Sequence, residues 1–138
     1  MRENRRISGE AEAAEGMQGE HALESFEQGL NLLNEEEYAA AAAHLARAVH
    51  YNSQNALYRA YYGKALSADE KQLHKAESEM QAAARLDPQN AKIRLMLAQF
   101  FIDRNLMKRA VGELTRFLDI APNDRDARTL LDSLRVNA

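Results

Sequence analysis

Apolar residues recur at helical spacing from His21 onward, in pairs of stripes separated by short polar turns. Between residues 56 and 86 the first stripe takes Leu57, Tyr61, Tyr62, Ala65 and Leu66. The second takes Leu73, Ala76, Met80, Ala83 and Ala84. Between 91 and 118 the stripes are Ile93, Met96, Leu97 and Phe101, then Met107, Ala110, Leu114, Phe117 and Leu118. Recurrence at three and four residues marks one face of a helix turned to a core, so each pair of stripes predicts a helical hairpin. The turns between hairpins are Asn52-Ser53-Gln54-Asn55, Asp87-Pro88-Gln89-Asn90 and Pro122-Asn123-Asp124. Proline ends the preceding helix, because the residue before it avoids the α region. The Asn or Asp that follows can accept a bond from an orphan N–H and start the next helix. Ala127, Leu130, Leu131 and Leu134 form one more stripe, predicting a last helix over 125–138. Residues 1–20 are rich in Glu and Gly, and beyond Met1 only Ile7 and Met17 are sizeable apolar side chains. Too little surface is available there to offset ordering, which predicts a flexible N-terminal tail or linker stub whose second half can fray onto the first helix.

The hairpins repeat in phase. Gly29 and Gly63 are 34 residues apart, as are Pro88 and Pro122; Ala41, Ala76 and Ala110 are spaced 35 and 34, as are Asn55, Asn90 and Asp124. One register fits all four series: 22–55, 56–90 with one extra residue, and 91–124. The extra residue falls between Gly63 and Ala76, around Ser67 to Leu73. In this register Gly29, Gly63 and Ala98 face Ala41, Ala76 and Ala110. Small residues at such a crossing let two helix backbones approach, and overfilling it is costly.

A 34-residue two-helix unit with Gly at position 8, Ala at 20 and 27 and Pro at 32 resembles the tetratricopeptide repeat. Gly29, Tyr38, Ala41 and Ala48 carry the likeness in the first unit. In the second it rests on Gly63, Ala76, Ala83 and Pro88, and in the third on Ala98, Ala110 and Pro122. The resemblance implies an all-α, right-handed α-α superhelix of about seven helices: three hairpins, then 125–138 as a capping helix with a polar outer face. Ser25 and Gln28 are polar where a preceding repeat would demand apolar residues, which suits a first repeat.

The resemblance also implies a concave groove lined by the first helix of each hairpin. By register its lining is Leu23, Phe26, Leu30 and Leu33, then Leu57, Ala60, Lys64 and Ser67, then Lys92, Leu95, Gln99 and Ile102, with Tyr61 at the border. The N-terminal end of the groove is therefore expected to be apolar and the rest mixed. Phe26, Leu30, Leu57 and Tyr61 are the expected anchors for a protein or peptide partner, with Lys64, Lys92 and Gln99 setting polarity. A non-catalytic adaptor or scaffold follows. The alternative is a homodimer through the apolar N-terminal end, as a chaperone for secretion or pilus-assembly clients. Some family members clamp the C-terminal carboxylate of heat-shock chaperones. The matching positions are Phe26, Leu30, Tyr61, Lys92 and Met96, of which only Lys92 fits, so this activity is not expected.

Composition narrows the chemistry. There is no cysteine, hence no disulfide, thiolate metal site or cysteine nucleophile. His21, His44, His50 and His74 include no pair four apart on a helix, so no metal is expected. Glu35-Glu36-Glu37 sits in a predicted turn, where three carboxylates share one environment rather than dividing acid and base roles. No phosphate-cradling loop, nucleophile elbow or dinucleotide fingerprint occurs, so neither catalysis nor a cofactor is expected. A formal net charge of −3 gives no general drive toward nucleic acid. Arg104, Lys108, Arg109 and Arg116 form a basic side on the third unit, but Asp103, Glu113 and Asp119 interleave with it. No run approaches the ~18 apolar residues of a membrane span, and no apolar stretch follows Arg2, Arg5 and Arg6, so a cytoplasmic protein is expected.

Overall fold

The computed structural model describes the backbone of residues 2–137 and the side chains of residues 16–136. Seven α-helices follow one another: α1 (Arg2–Asn34), α2 (Tyr38–Tyr51), α3 (Ala56–Leu66), α4 (Leu73–Leu86), α5 (Ala91–Asp103), α6 (Met107–Ile120) and α7 (Arg125–Asn137). No strand occurs among the described residues. Helix α1 packs on α2, α3 on α4 and α5 on α6, and these hairpins stack in chain order into a right-handed solenoid closed by α7. Helices α1, α3 and α5 also touch one another in sequence, so they form one layer and α2, α4 and α6 the other.

Each hairpin-to-hairpin turn ends in the cap that the sequence places there. The Asn55 side chain accepts from the Tyr58 N–H at 3.1 Å, Asn90 from Ile93 at 3.2 Å and Asp124 from Ala127 at 2.9 Å. Removing one such acceptor leaves an orphan donor at the start of a helix. Asn90→Ala is therefore expected to lower stability by about 1 kcal/mol, read from chemical denaturation.

Within hairpins, the connections 35–37 and 104–106 are matching three-residue turns. Glu36 and Asn105 occupy the same left-handed backbone position, with φ of 61° and 60°. The second hairpin differs. Helix α3 stops at Leu66, and a 3₁₀ turn over Glu70–Gln72 carries the chain to α4, with the Asp69 carboxylate accepting from the Lys71 N–H at 3.0 Å. The extra residue of the second repeat is absorbed there.

The small-residue crossings are tight. A β-carbon added at Gly63 would lie 2.8 Å from the Ala76 carbonyl oxygen and 2.7 Å from Met80 Cγ. One added at Gly29 would meet Leu45 Cγ at 2.6 Å, with the Ala41 carbonyl at 3.5 Å. Ala41, Ala76, Ala98 and Ala110 are fully buried. Leu45, Ile93, Leu97, Phe101, Leu114 and Leu131 supply the largest wholly buried side chains of the continuous core.

An arginine repeats with the hairpins. Arg59 Nε donates to the Ser53 carbonyl at 2.7 Å while its Nη1 pairs with Glu79 at 3.0 Å. One repeat later Arg94 Nε donates to the Pro88 carbonyl at 3.4 Å and its Nη1 pairs with Glu113 at 3.2 Å. Each arginine ties the turn before its helix to the second helix of its own hairpin.

The N-terminal segment is helical. The backbone of residues 2–20 is continuous with the rest of α1. Glu and Ala between residues 10 and 15 are strong helix formers, and that local preference extends the helix past the end of α2. Side chains from Gly16 to His21 are exposed, and the first buried position is Ala22. At the other end Ala127, Leu131 and Leu134 are buried, while Arg125, Arg128, Asp132, Ser133 and Arg135 are exposed.

Candidate functional site

The layer formed by α1, α3 and α5 carries the residues that the register assigns to a groove, and their depths differ. Leu23 is half exposed, at 50%. Phe26 is partly buried, with its ring 4.6 Å from that of Tyr58 and 5.6 Å from that of Tyr61, edge-on to the latter. Leu33, Leu57 and Tyr61 also pack against the core, and Leu30 is half-buried. The apolar N-terminal stripe is therefore spent largely on joining the first hairpin to the second. Ala60 is fully buried and lines nothing. Tyr58 lies within this aromatic cluster. Burial first, and the Glu27 carboxylate second, push its phenol above the usual tyrosine range.

The open part of the layer lies between α3 and α5. A cavity of about 570 Å³ occupies it. Leu95, Met96 and Phe100 give it apolar walls, and Lys64, Lys92 and Arg104 stand around them. Of the sequence-predicted residues, the cavity gathers Lys64, Ser67, Lys92, Leu95 and Gln99. It leaves out Leu23, Phe26, Leu30, Leu33, Leu57, Ala60, Tyr61 and Ile102. Tyr38, Asp103 and Arg104 also line it, and all three sit at ends of helices facing the within-hairpin turns.

Three cations shape the electrostatics of this face. Lys92 Nζ lies 5.3 Å from the centre of the Tyr61 ring and Lys64 Nζ lies 6.0 Å from it, so two ammonium groups stand against one aromatic ring. The Arg104 guanidinium lies 5.2 Å from the Phe100 ring and its Nη2 donates to the Ser67 carbonyl at 2.8 Å, while its buried Nε has no partner. The nearby acid Asp103 accepts from Gln99 Nε2 at 2.8 Å. The ion pairs among the described side chains, Arg59–Glu79, Arg94–Glu113, Arg116–Glu113 and Arg109–Glu77, all join other residues. A desolvated carboxylate brought between Lys64 and Lys92 would gain from both, as would apolar side chains seated on Leu95 and Met96.

The histidines stay apart from this face. His21 and His50 flank the Tyr51 ring at 5.6 and 5.5 Å. No cluster of three or more His, Asp or Glu able to hold a metal ion occurs among the described residues. No helix among them is long and apolar enough to cross a membrane.

A sequence model described as tetratricopeptide repeat matches residues 67–134. Those residues fold as the second half of the second hairpin, including all of α4, the whole of the third, and most of α7. The chain belongs to the tetratricopeptide repeat family. A search of curated proteins finds no match. Among solved structures, the tetratricopeptide domain of Arabidopsis OM64 superposes with a TM-score of 0.77 at 20% identity, covering 88% of this chain and 99% of that one. The first tetratricopeptide domain of Spaghetti (RPAP3), bound to the HSP90 peptide SRMEEVD, gives 0.77 at 18% identity, covering 86% and 96%. The Yersinia enterocolitica type III secretion chaperone SycD, in complex with a peptide of the translocator YopD, gives 0.71 at 12% identity, covering 83% and 92%. At these identities the likeness is one of fold.

Proposed function

We propose that this tetratricopeptide protein is a non-catalytic adaptor that holds a segment of a partner protein along the α1–α3–α5 face. The cavity between α3 and α5 carries the reading. It combines apolar walls with a few placed polar groups, the composition expected of a site that fixes a ligand's orientation. Its elements are rigid helices, so a groove of this depth exists before the partner arrives. Proteins of the same fold supply the precedent: Spaghetti is seen with an HSP90 peptide, and SycD with a peptide of its translocator. The SycD likeness supports a second reading, in which the client is a secreted or assembling protein held before delivery.

The occupant differs in kind from the HSP90 tail. Of the five positions at which family members clamp such a carboxylate, four hold Phe26, Leu30, Tyr61 and Met96 here, and only Lys92 is cationic. The cations Lys64 and Arg104 stand at other points of the face.

Peptide-display selection on the immobilised full chain tests the reading. Selected peptides are expected to lose about tenfold or more in affinity to Leu95→Glu, which puts a charge where an apolar contact is buried. Lys108→Glu, on the opposite layer, is expected to leave them unchanged. SRMEEVD serves as the control and is expected to bind more weakly than the selected peptides. Selection of no binder, or equal binding to the Leu95→Glu chain, would remove this face from consideration.

A further inference from the structure

Charge along the solenoid is divided. Residues 7–46 hold nine glutamates and no lysine or arginine, whereas residues 47–138 hold fifteen Lys and Arg against eleven Asp and Glu, a net of +4. Glu20, Glu24 and Glu27, spaced four and three, share one exposed face of α1. None of the ion pairs among the described side chains involves these three, and none involves Lys64 or Lys92. The exposed face of α1 thus carries carboxylates in no ion pair, and the groove between α3 and α5 carries two ammonium groups in none.

We infer that the cationic part of the groove is occupied by the acidic α1 of a second copy of this chain, in an antiparallel dimer with a two-fold axis between the two groove faces. The symmetry follows from the charge. A two-fold that joined the two α1 helices would set Glu20, Glu24 and Glu27 against their own copies. An antiparallel pairing sets each acidic α1 against the other copy's Lys64 and Lys92, makes the contact twice and closes the assembly. The half-exposed Leu23, which lies beside the acidic face, and Leu95, which lies in the groove, would be covered in the same contact. This association goes beyond the adaptor reading, and a partner segment entering the groove would compete with it.

Sedimentation equilibrium on the full chain tests the inference, at low salt and in ~1 M NaCl, where screening falls to a few ångströms. The expected result is a concentration-dependent dimer at low salt that dissociates at high salt. Lys64→Glu/Lys92→Glu and Glu20→Lys/Glu24→Lys/Glu27→Lys, all at exposed positions, are each expected to weaken self-association by about tenfold or more. Mixing the two variants is expected to restore a dimer containing one of each. Lys64→Gln/Lys92→Gln, which removes charge without reversing it, is expected to fall between. A monomer at low salt and high concentration would overturn the inference. So would a dimer that ignores salt and both reversals, or a mixture that fails to pair.

Discussion

Replacing Glu113 by alanine is expected to lower the unfolding free energy by about 3 kcal/mol, the lower end of the cost of stranding a buried ion-pair partner. Glu113 is 5% exposed although it carries a charge. One carboxylate oxygen accepts from Arg94 at 3.2 Å and the other from Arg116 at 3.0 Å. Arg116 is well exposed and would turn to water. The Arg94 side chain, 15% exposed and tied through Nε to the Pro88 carbonyl, has little room to follow. Its charge would stay half-desolvated and unpaired. For a chain of this size the loss corresponds to about 10 °C in Tm. Arg94→Met/Glu113→Leu, which removes both charges and fills the space, is expected to recover most of it, since a well-packed apolar pair substitutes for a buried ion pair at little net cost. A single-variant Tm within a degree of wild type would show that the pair carries no structural weight.

The second large effect concerns the crossing of α3 and α4. Ala76→Leu is expected to destabilise by ~1–3 kcal/mol, whereas Ala68→Leu is expected to be nearly neutral. Ala76 is fully buried, and its carbonyl stands where a β-carbon at Gly63 would come within 2.8 Å. Extra methylenes there push two backbones apart. Ala68 is exposed in the connection after α3, where a longer side chain meets solvent. Gly63→Ala tests the same contact from the other side: its helix-propensity gain of about 1 kcal/mol is outweighed by the clash with Met80 and the Ala76 carbonyl. Thermal melts compare all three, and equal Tm values for Ala76→Leu and Ala68→Leu would refute the packing described.

These crossings and caps were legible in the sequence because each has a steric or hydrogen-bonding requirement that few residues meet. Gly63, Ala76, Asn55, Asn90 and Asp124 announce their roles by type and by phase. Depth was not legible. The register puts Phe26 on the groove side of its helix, but its burial depends on Tyr58 and Tyr61, which belong to the next repeat. The apolar stripe on α1 therefore reads as an open surface until α3 is laid against it. The cavity shows the same limit. Tyr38 and Arg104 enter it from within-hairpin turns, where a 34-residue period says little about side-chain direction.

Glu113 illustrates a third kind of miss. In sequence it interleaves with the basic side of the third unit and looks like a solvated neutraliser. In the fold it turns inward and is consumed by two arginines. The signal was present: Arg59 and Glu79 recur one repeat later as Arg94 and Glu113. The uneven placement of glutamates before Arg47 was likewise readable, but a net charge of −3 averages it away. The helical course of residues 2–20 rests on local propensity without an apolar face, which hydrophobic periodicity does not register.

The most direct test of the recognition surface is an amide chemical-shift titration of the full chain with the tightest peptide from display selection. The perturbed residues are expected to cluster on α3 and α5 around Lys64, Lys92, Leu95 and Gln99, with α4 and α6 silent on their outer faces. Perturbations confined to those outer faces, or to α7, would contradict it.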